Sequence, residues 1–418
     1  MNRKYSKEIQ RVISNFGYLS VLQIISLIIP LLVFPYLIDV LGKVNYGLVI
    51  YGQAIVTFLV VIVNFGFNIT ATREISIHRN DRSKLHEVVS SVFILRIILL
   101  LIAFLILSLV LPFIKEAEGN YLLFYFSMFL CINEVMLPVW YFQGIEQMKY
   151  ITIINGLSKL TTVIFIFLFI NTAEDYTLVP LFYLIGTLIS GTISLYIVFV
   201  KHQIKFRLFP FSIVFSYAKT GFYIFLSRAS FMLMESTSKV IITKFFGLSD
   251  LAVYDLALKI VTVVKKPFSL LSQAFFPNLS KNPNIKLTKK LLLGSTLVSI
   301  VFYLIIVLLS DSVTLFFLDI SELEKVYLAL LILGISIPLS SLTWWLGENI
   351  LVVKGYFKPY NLSTIIQIFV YFGMLGFFYF FLENLSFTLL LVLYIVPILA
   401  EVLVRIFYIN KYGLFKRN

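Results

Sequence analysis

VLGKVNYGLVIYGQAI, Val40 to Ile55, has a counterpart further along the chain in FFGLSDLAVYDLALKI, Phe245 to Ile260. Each stretch closes an apolar run, places a glycine (Gly42, Gly247), makes a short turn and opens the next run on a small residue, Gly47 or Ala252. A second pair, GIEQMKYITIIN (Gly144 to Asn155) and LVVKGYFKPYNLS (Leu351 to Ser363), forms basic turns at matching places. The pairs divide the chain near 201–213, giving an N-terminal lobe 1–205 and a C-terminal lobe 206–418. Six apolar runs per lobe is an even number, so both lobes enter the membrane from one side. The expected symmetry is a parallel pseudo-two-fold repeat about the membrane normal, and membrane proteins so built hold a ligand between their halves.

Composition sets the class. The chain of 418 residues is 60% hydrophobic and 13% charged, with mean hydropathy +0.97. A spanning helix takes about 20 apolar residues. Such runs fall near 17–40, 46–68, 88–114, 121–142, 150–171, 178–200, 214–246, 250–276, 291–310, 326–352, 360–382 and 387–409. The reading is an all-α polytopic membrane protein of about twelve transmembrane helices, its first run a retained span rather than a cleaved leader.

The formal charge of +13 does not indicate nucleic acid, because the basic residues alternate with the loops. With the N-terminus placed in the cytoplasm, twenty-one Lys and Arg fall in cytoplasmic loops and tails, but only Lys43, Lys115, Lys244 and Lys325 fall outside. That asymmetry predicts a multi-pass membrane protein of twelve spans with both termini cytoplasmic. Loops are too short for a catalytic domain, no GxxxxGK[ST] phosphate loop is present, and one cysteine with three scattered histidines builds no metal site. Neither an enzyme nor a cofactor is expected.

The informative charges lie inside the spans. In RASFMLMESTSKV, Arg228 to Val240, Arg228, Glu235 and Lys239 share one narrow helical stripe. Asp255, Lys259, Thr262 and Lys266 form a second stripe on the next span. Milder ones are Gln53, Thr57, Asn64 and Asn68 on span two, and Asn155, Lys159 and Thr162 on span five; Glu134 lies in span four. An ionisable group facing lipid at mid-membrane costs about 2.5–3.5 kcal/mol on insertion scales, so the stripes face a watery cavity or each other. The pairs Glu235–Lys239 and Asp255–Lys259 also have the i,i+4 spacing of internal neutralisation, which leaves Arg228, Lys266 and Lys159 without partners on their own helices. Arg96, Lys219, Lys265 and Arg405 lie within reach of predicted boundaries, where snorkelling accounts for them about as well as a functional role. Trp140, Trp344 and Trp345 are expected as interfacial belt residues.

FPYLIDVLGKVNYG, NFGFNITATREIS, LPVWYFQGIEQMKY and YDLALKI…PFSLLSQAFFPNLSK, in order over essentially the whole chain, resemble the Wzx-type polysaccharide (O-antigen and capsule) repeat-unit flippases of the multidrug/oligosaccharidyl-lipid/polysaccharide (MOP) exporter superfamily. The resemblance implies a two-lobed MATE-like fold. It also implies movement of an undecaprenyl-diphosphate-linked oligosaccharide from the cytoplasmic to the outer leaflet by alternating access. One departure is Ile38-Asp39 after the first-span Pro-Tyr-Leu, where family members often carry a basic residue.

The embedded set of Arg96, Lys159, Arg228, Lys239, Lys259 and Lys266 outnumbers Glu134, Glu235 and Asp255. A basic lumen suits a diphosphate. The expected substrate-binding residues are therefore Arg228, Lys259, Lys159, Lys239 and Lys266, with Asn64 and Asn68. Glu134, Glu235 and Asp255 are the candidates for ion coupling, as in an antiporter. Expected partners are the lipid-linked oligosaccharide, membrane lipids, and a polysaccharide polymerase with other assembly proteins of capsule or lipopolysaccharide. Two other readings are a MATE-like exporter of small molecules, which a basic lumen disfavours, and a membrane scaffold that transports nothing.

Overall fold

The structure is a computed structural model. It describes the backbone of residues 2–281, 283–381 and 385–415, and their side chains except 2–16, 19, 219–231, 277, 278, 281, 379 and 381. Sixteen α-helices account for nearly all of it. The first ten are α1 (Asn2–Asn64), α2 (Phe67–His78), α3 (Arg82–Val110), α4 (Tyr121–Ser127), α5 (Phe129–Met136), α6 (Val139–Gly144), α7 (Met148–Phe169), α8 (Leu178–Tyr196), α9 (Phe211–Phe246) and α10 (Leu248–Lys281). Then follow α11 (Ile285–Leu308), α12 (Ser310–Phe317), α13 (Leu323–Gly334), α14 (Ser336–Leu346), α15 (Phe357–Phe381) and α16 (Phe387–Lys411). No β-strand occurs among the described residues. Hydrocarbon offers the backbone no partners, so apolar runs of this length close their hydrogen bonds within one helix.

Nine helical stretches among the described residues are long and apolar enough to cross a membrane. The first, Ser20–His78, has 59 residues, about twice what a bilayer takes. It breaks at Gly42, whose φ of 74° and ψ of 165° suit glycine and few others. The 36-residue α9 and 34-residue α10 are long enough to span but carry the charged stripes. With α1 divided at Gly42, this gives the twelve helical passages expected.

Two compact units, Met1–Val240 and Ile241–Asn418, divide the chain by contact. In the first, Thr152 donates to the Tyr18 carbonyl (2.8 Å) and Tyr36 to the Ile170 carbonyl (2.6 Å), so residues 18–36 run parallel to α7. Beyond Gly42 the direction reverses. Tyr51 meets Phe124 (6.2 Å between rings) and Asn64 reaches Glu134, which makes 43–64 parallel to α4 and α5. Helix α3 opposes them through Tyr125–Ser108 (3.0 Å) and Arg96–Glu134.

The second unit repeats this order. Lys325 pairs with Asp250 and Asn349 with Ser272, setting α10 parallel to the α13–α14 passage, and α11 opposes them through Ser295–Ser341 and Tyr303–Leu331. Gly247 precedes α10 with φ 89°, as Gly42 precedes 43–64. The glycines quoted from the sequence thus mark the same turn in each unit.

Trp140 and Trp345 are fully buried and their indole N–H groups make no hydrogen bond, which corrects their reading as belt residues. Trp140 lies against Phe93 and Trp345 against Phe275, each in its own unit's interior.

Candidate functional site

A single carboxylate organises the interior of the first unit. Helix α1 ends at Asn64, Phe65 (φ 43°) and Gly66 (φ 76°) interrupt it, and α2 resumes at Phe67. Asn64 and Asn68, on either side of the break, donate to Glu134 Oε2 at 2.8 and 3.4 Å. Arg96 Nη2 lies 3.5 Å from the same oxygen and donates to Asn68 Oδ1 at 2.9 Å, while Nη1 donates to the Glu134 carbonyl. The guanidinium is flanked by the Phe67 and Trp140 rings, 6.0 and 5.9 Å from its centre. Arg96 is fully buried. It does not snorkel; the helix that carries it aims it inward, and the carboxylate and amides supply what water would have.

The second unit holds an independent arginine. Arg405, the other arginine near a predicted boundary, is buried with Nη2 2.5 Å from Glu401 Oε1, Nε donating to Ser363 at 3.0 Å and Nη1 to the Thr343 carbonyl. Tyr360 stacks 4.8 Å away. Gly347 makes the seat possible, since a Cβ there would stand 2.3 Å from Arg405 Nη1. Glu401 and Arg405 are four residues apart in EVLVR, a spacing that advertises the pair; attention to boundary position alone missed it.

The stripe residues divide into paired and unpaired. Lys259 and Asp255 form an ion pair with Asp255 buried. Lys239 and Glu235 are 3.4 Å apart with the Glu235 side chain 46% exposed. The Arg228 side chain lies outside the described residues. Lys159 and Lys266 are half-buried, and no ion pair joins either to a described residue. Lys159 sits mid-helix in α7, beside a cavity of about 330 Å³ that it lines with Asn133, Asn155, Ser158 and Thr187. A further cavity of about 480 Å³ is lined by Asn68, Thr72, Arg73 and Gln143. No group of three or more His, Cys, Asp or Glu is placed to hold a metal among the described residues.

At the α8 end of the first unit, Tyr141 and His202 Nδ1 are 3.0 Å apart, and Lys149 and Lys201 lie 5.1 and 5.4 Å from the Tyr150 ring. Burial, then Lys201 and Lys149, hold the His202 pKa below its ordinary value.

Buried arginine–carboxylate centres in each unit, together with two embedded lysines that pair with no described acid, describe a polytopic protein with a polar interior. The sequence profile of the polysaccharide biosynthesis protein family matches residues 12–283. The chain belongs to that family. It is 28% identical over 301 residues to a putative O-antigen transporter of Escherichia coli (strain K12), covering 70% of this chain and 72% of that protein. A putative O-antigen transporter of Shigella dysenteriae is 27% identical over 262 residues, covering 63% and 66%.

The fold is similar to that of a multidrug resistance MATE family transporter of the MOP superfamily in its inward-facing conformation. The TM-score is 0.67 at 15% identity, with 93% of this chain and 98% of the other covered. It is also similar to a MOP superfamily transporter from Pyrococcus furiosus described as having a binding pocket of reverse polarity, with TM-score 0.61, 14% identity and coverage of 98% and 96%. The MATE-like fold implied by the resemblance is therefore the fold of this chain.

Proposed function

We propose that the protein is a flippase that carries an undecaprenyl-diphosphate-linked oligosaccharide repeat unit from the cytoplasmic to the outer leaflet by alternating access of lobes 1–205 and 206–418. Family membership supports a role in polysaccharide biosynthesis, and relatives named as putative O-antigen transporters support transport as that role. One observation favours an anionic cargo over a cationic drug. Glu134, Glu235 and Asp255 each have a cation of their own unit within 3.5 Å, whereas no ion pair joins Lys159 or Lys266 to a described acid. Uncompensated ammonium groups within the membrane attract an anion and repel a cation.

On this reading Arg228, Lys159, Lys239, Lys259 and Lys266 attract the diphosphate, and Asn64 and Asn68 add hydrogen bonds. Glu134, Glu235 and Asp255 are the groups through which an ion gradient acts. Both termini are cytoplasmic, the membrane is the bacterial inner membrane, and a polymerase receives the flipped unit. The test is deletion of the gene in its own host. Surface polysaccharide should fall and lipid-linked repeat units should accumulate on the cytoplasmic leaflet, with both restored by the wild-type chain. Undiminished surface polysaccharide without accumulation would overturn the proposal.

A further inference from the structure

The cavity beside Lys159 gathers several polar side chains of the first unit that are left unused among the described residues. Its volume of about 330 Å³ is at the lower end of small-ligand pockets, and at roughly 30 Å³ per water it has room for about ten. Its walls come from residues 22–30 of α1, from α5, α7 and α8. Lys159 stands roughly 16 Å along α7 at 1.5 Å per residue, close to the middle of the helix.

The polar lining divides sharply. Asn155 donates to the Ile151 carbonyl (2.9 Å) and Thr162 to the Ser158 carbonyl (3.0 Å), each satisfied by its own helix. Tyr183 stacks on Phe129 with 5.0 Å between ring centres. By contrast, the side chains of Ser26, Asn133, Ser158, Lys159 and Thr187 make no hydrogen bond or ion pair with any described residue. Each wall helix contributes at least one of these groups. No carboxylate lines the cavity.

That inventory selects a ligand by its chemistry. An ammonium carries three N–H donors, an asparagine amide two, and each hydroxyl one. A neutral ligand leaves the embedded charge uncompensated, and a cation is repelled. A tetrahedral oxyanion offers lone pairs in several directions and takes donors from several walls at once, in charge-assisted bonds. We infer that this cavity is a binding site for one phosphoryl-sized oxyanion, built wholly within the first unit and independent of Arg228 and Lys259. The choice of phosphate over other oxyanions rests on the reading of the protein as a carrier of a phosphate-bearing lipid. Inorganic phosphate and a lipid diphosphate present the same chemistry to it.

The full-length protein in maltoside micelles, which contain no phosphate, separates these sources. Inorganic phosphate and a micelle-incorporated polyprenyl diphosphate are titrated in separate arms while the unfolding midpoint is followed, with chloride at matched ionic strength as the control. The expected result is a saturable rise in at least one phosphate arm and none with chloride. A response to the lipid alone assigns the site to the headgroup, and a response to inorganic phosphate assigns it to a free ion. Lys159→Gln should weaken the response about tenfold, the loss of one charge-assisted hydrogen bond, and Lys159→Arg should retain most of it. Thr187→Val, a near-isosteric exchange, should weaken it several-fold and carries the comparison if Lys159→Gln does not fold. No rise in either arm, an equal rise with chloride, or undiminished affinity in the folded variants would remove the site. Loss of the site with polysaccharide export intact in the deletion test would leave the flippase reading standing.

Discussion

Arg96 Nη2 and Glu134 Oε2 stand 3.5 Å apart, from helices α3 and α5, with the Arg96 side chain 1% exposed and that of Glu134 20% exposed. The asymmetry of burial decides what each substitution does. Replacing Glu134 with glutamine strands a guanidinium that has no route to water, and breaking such a pair costs about 3–5 kcal/mol. Replacing Arg96 with methionine leaves a carboxylate with some solvent contact and two asparagine donors, so its cost is smaller. Glu134→Gln should therefore lower the denaturation midpoint of the solubilised protein more than Arg96→Met, and the double variant should recover part of the loss. Strictly additive effects would show that the two groups do not stabilise one another.

Gly347 and Arg405 make a steric prediction. An added Cβ would lie 2.3 Å from Nη1, 2.6 Å from Cζ and 3.0 Å from the Tyr360 ring, and the guanidinium is held by Glu401, Ser363 and Thr343 and cannot yield. Gly347→Ala should destabilise by about 1–3 kcal/mol, the usual cost of overpacking. Gly373→Ala on α15 meets nothing within 4 Å and should be neutral or slightly stabilising, since alanine favours helix. Comparison of the two melting curves tests the packing directly.

The His202 prediction concerns pH. Burial and the neighbouring Lys201 and Lys149 lower its pKa in the folded state, so the unfolded chain binds the proton more readily. The neutral imidazole's contribution is present above the ordinary value of 6.5 and is lost as pH falls through the folded pKa. The melting temperature should fall between about pH 7.5 and pH 5, and His202→Gln should flatten that slope. An unchanged slope would place the titration elsewhere.

Much of this was legible in the sequence because membrane physics is coarse. Apolar length marks the passages, and Gly42 and Gly247 mark the turns that precede 43–64 and α10. Spacing of four also exposed Asp255–Lys259 and Glu235–Lys239, which the fold pairs. What the sequence could not reveal is contact between distant helices. Glu134 has no cation on its own helix, and Arg96 reaches it across 38 positions. Distance from a predicted boundary says nothing about which way a side chain turns: Arg96, Arg405, Trp140 and Trp345 all stand near such boundaries in the sequence, and all four lie in the interior.

Orientation is open to a labelling test. Glu118, Ser321, Ser83 and Lys205 are all exposed. In a background where Cys131 is replaced by alanine, cysteines at Glu118 and Ser321 should react with an impermeant thiol reagent applied to whole cells. Those at Ser83 and Lys205 should react only after the membrane is opened. The opposite pattern would invert the topology and exclude cytoplasmic termini.

The paired and unpaired lysines should differ in kind, and that difference separates a transport role from scaffolding. Lys259 is tied to buried Asp255, so Lys259→Ala leaves a buried carboxylate alone and should reduce the amount of folded, membrane-inserted protein. Replacing both, as Asp255→Asn with Lys259→Met, removes both charges and should restore insertion. Among the described residues Lys159 and Lys266 hold no such partner. Their neutralisation relieves an electrostatic cost of about 2.5–3.5 kcal/mol for a cation at mid-membrane, so Lys159→Gln and Lys266→Gln should insert at least as well as the wild type. If these cations act on an anionic cargo, surface polysaccharide should nevertheless fall several-fold in each, and Lys159→Arg should retain most of it. The measurement is surface polysaccharide per unit of inserted protein in the deletion host. Normal export from a Lys159→Gln, Lys266→Gln double variant would show that the unpaired cations do not handle the cargo, whatever the paired ones do for stability.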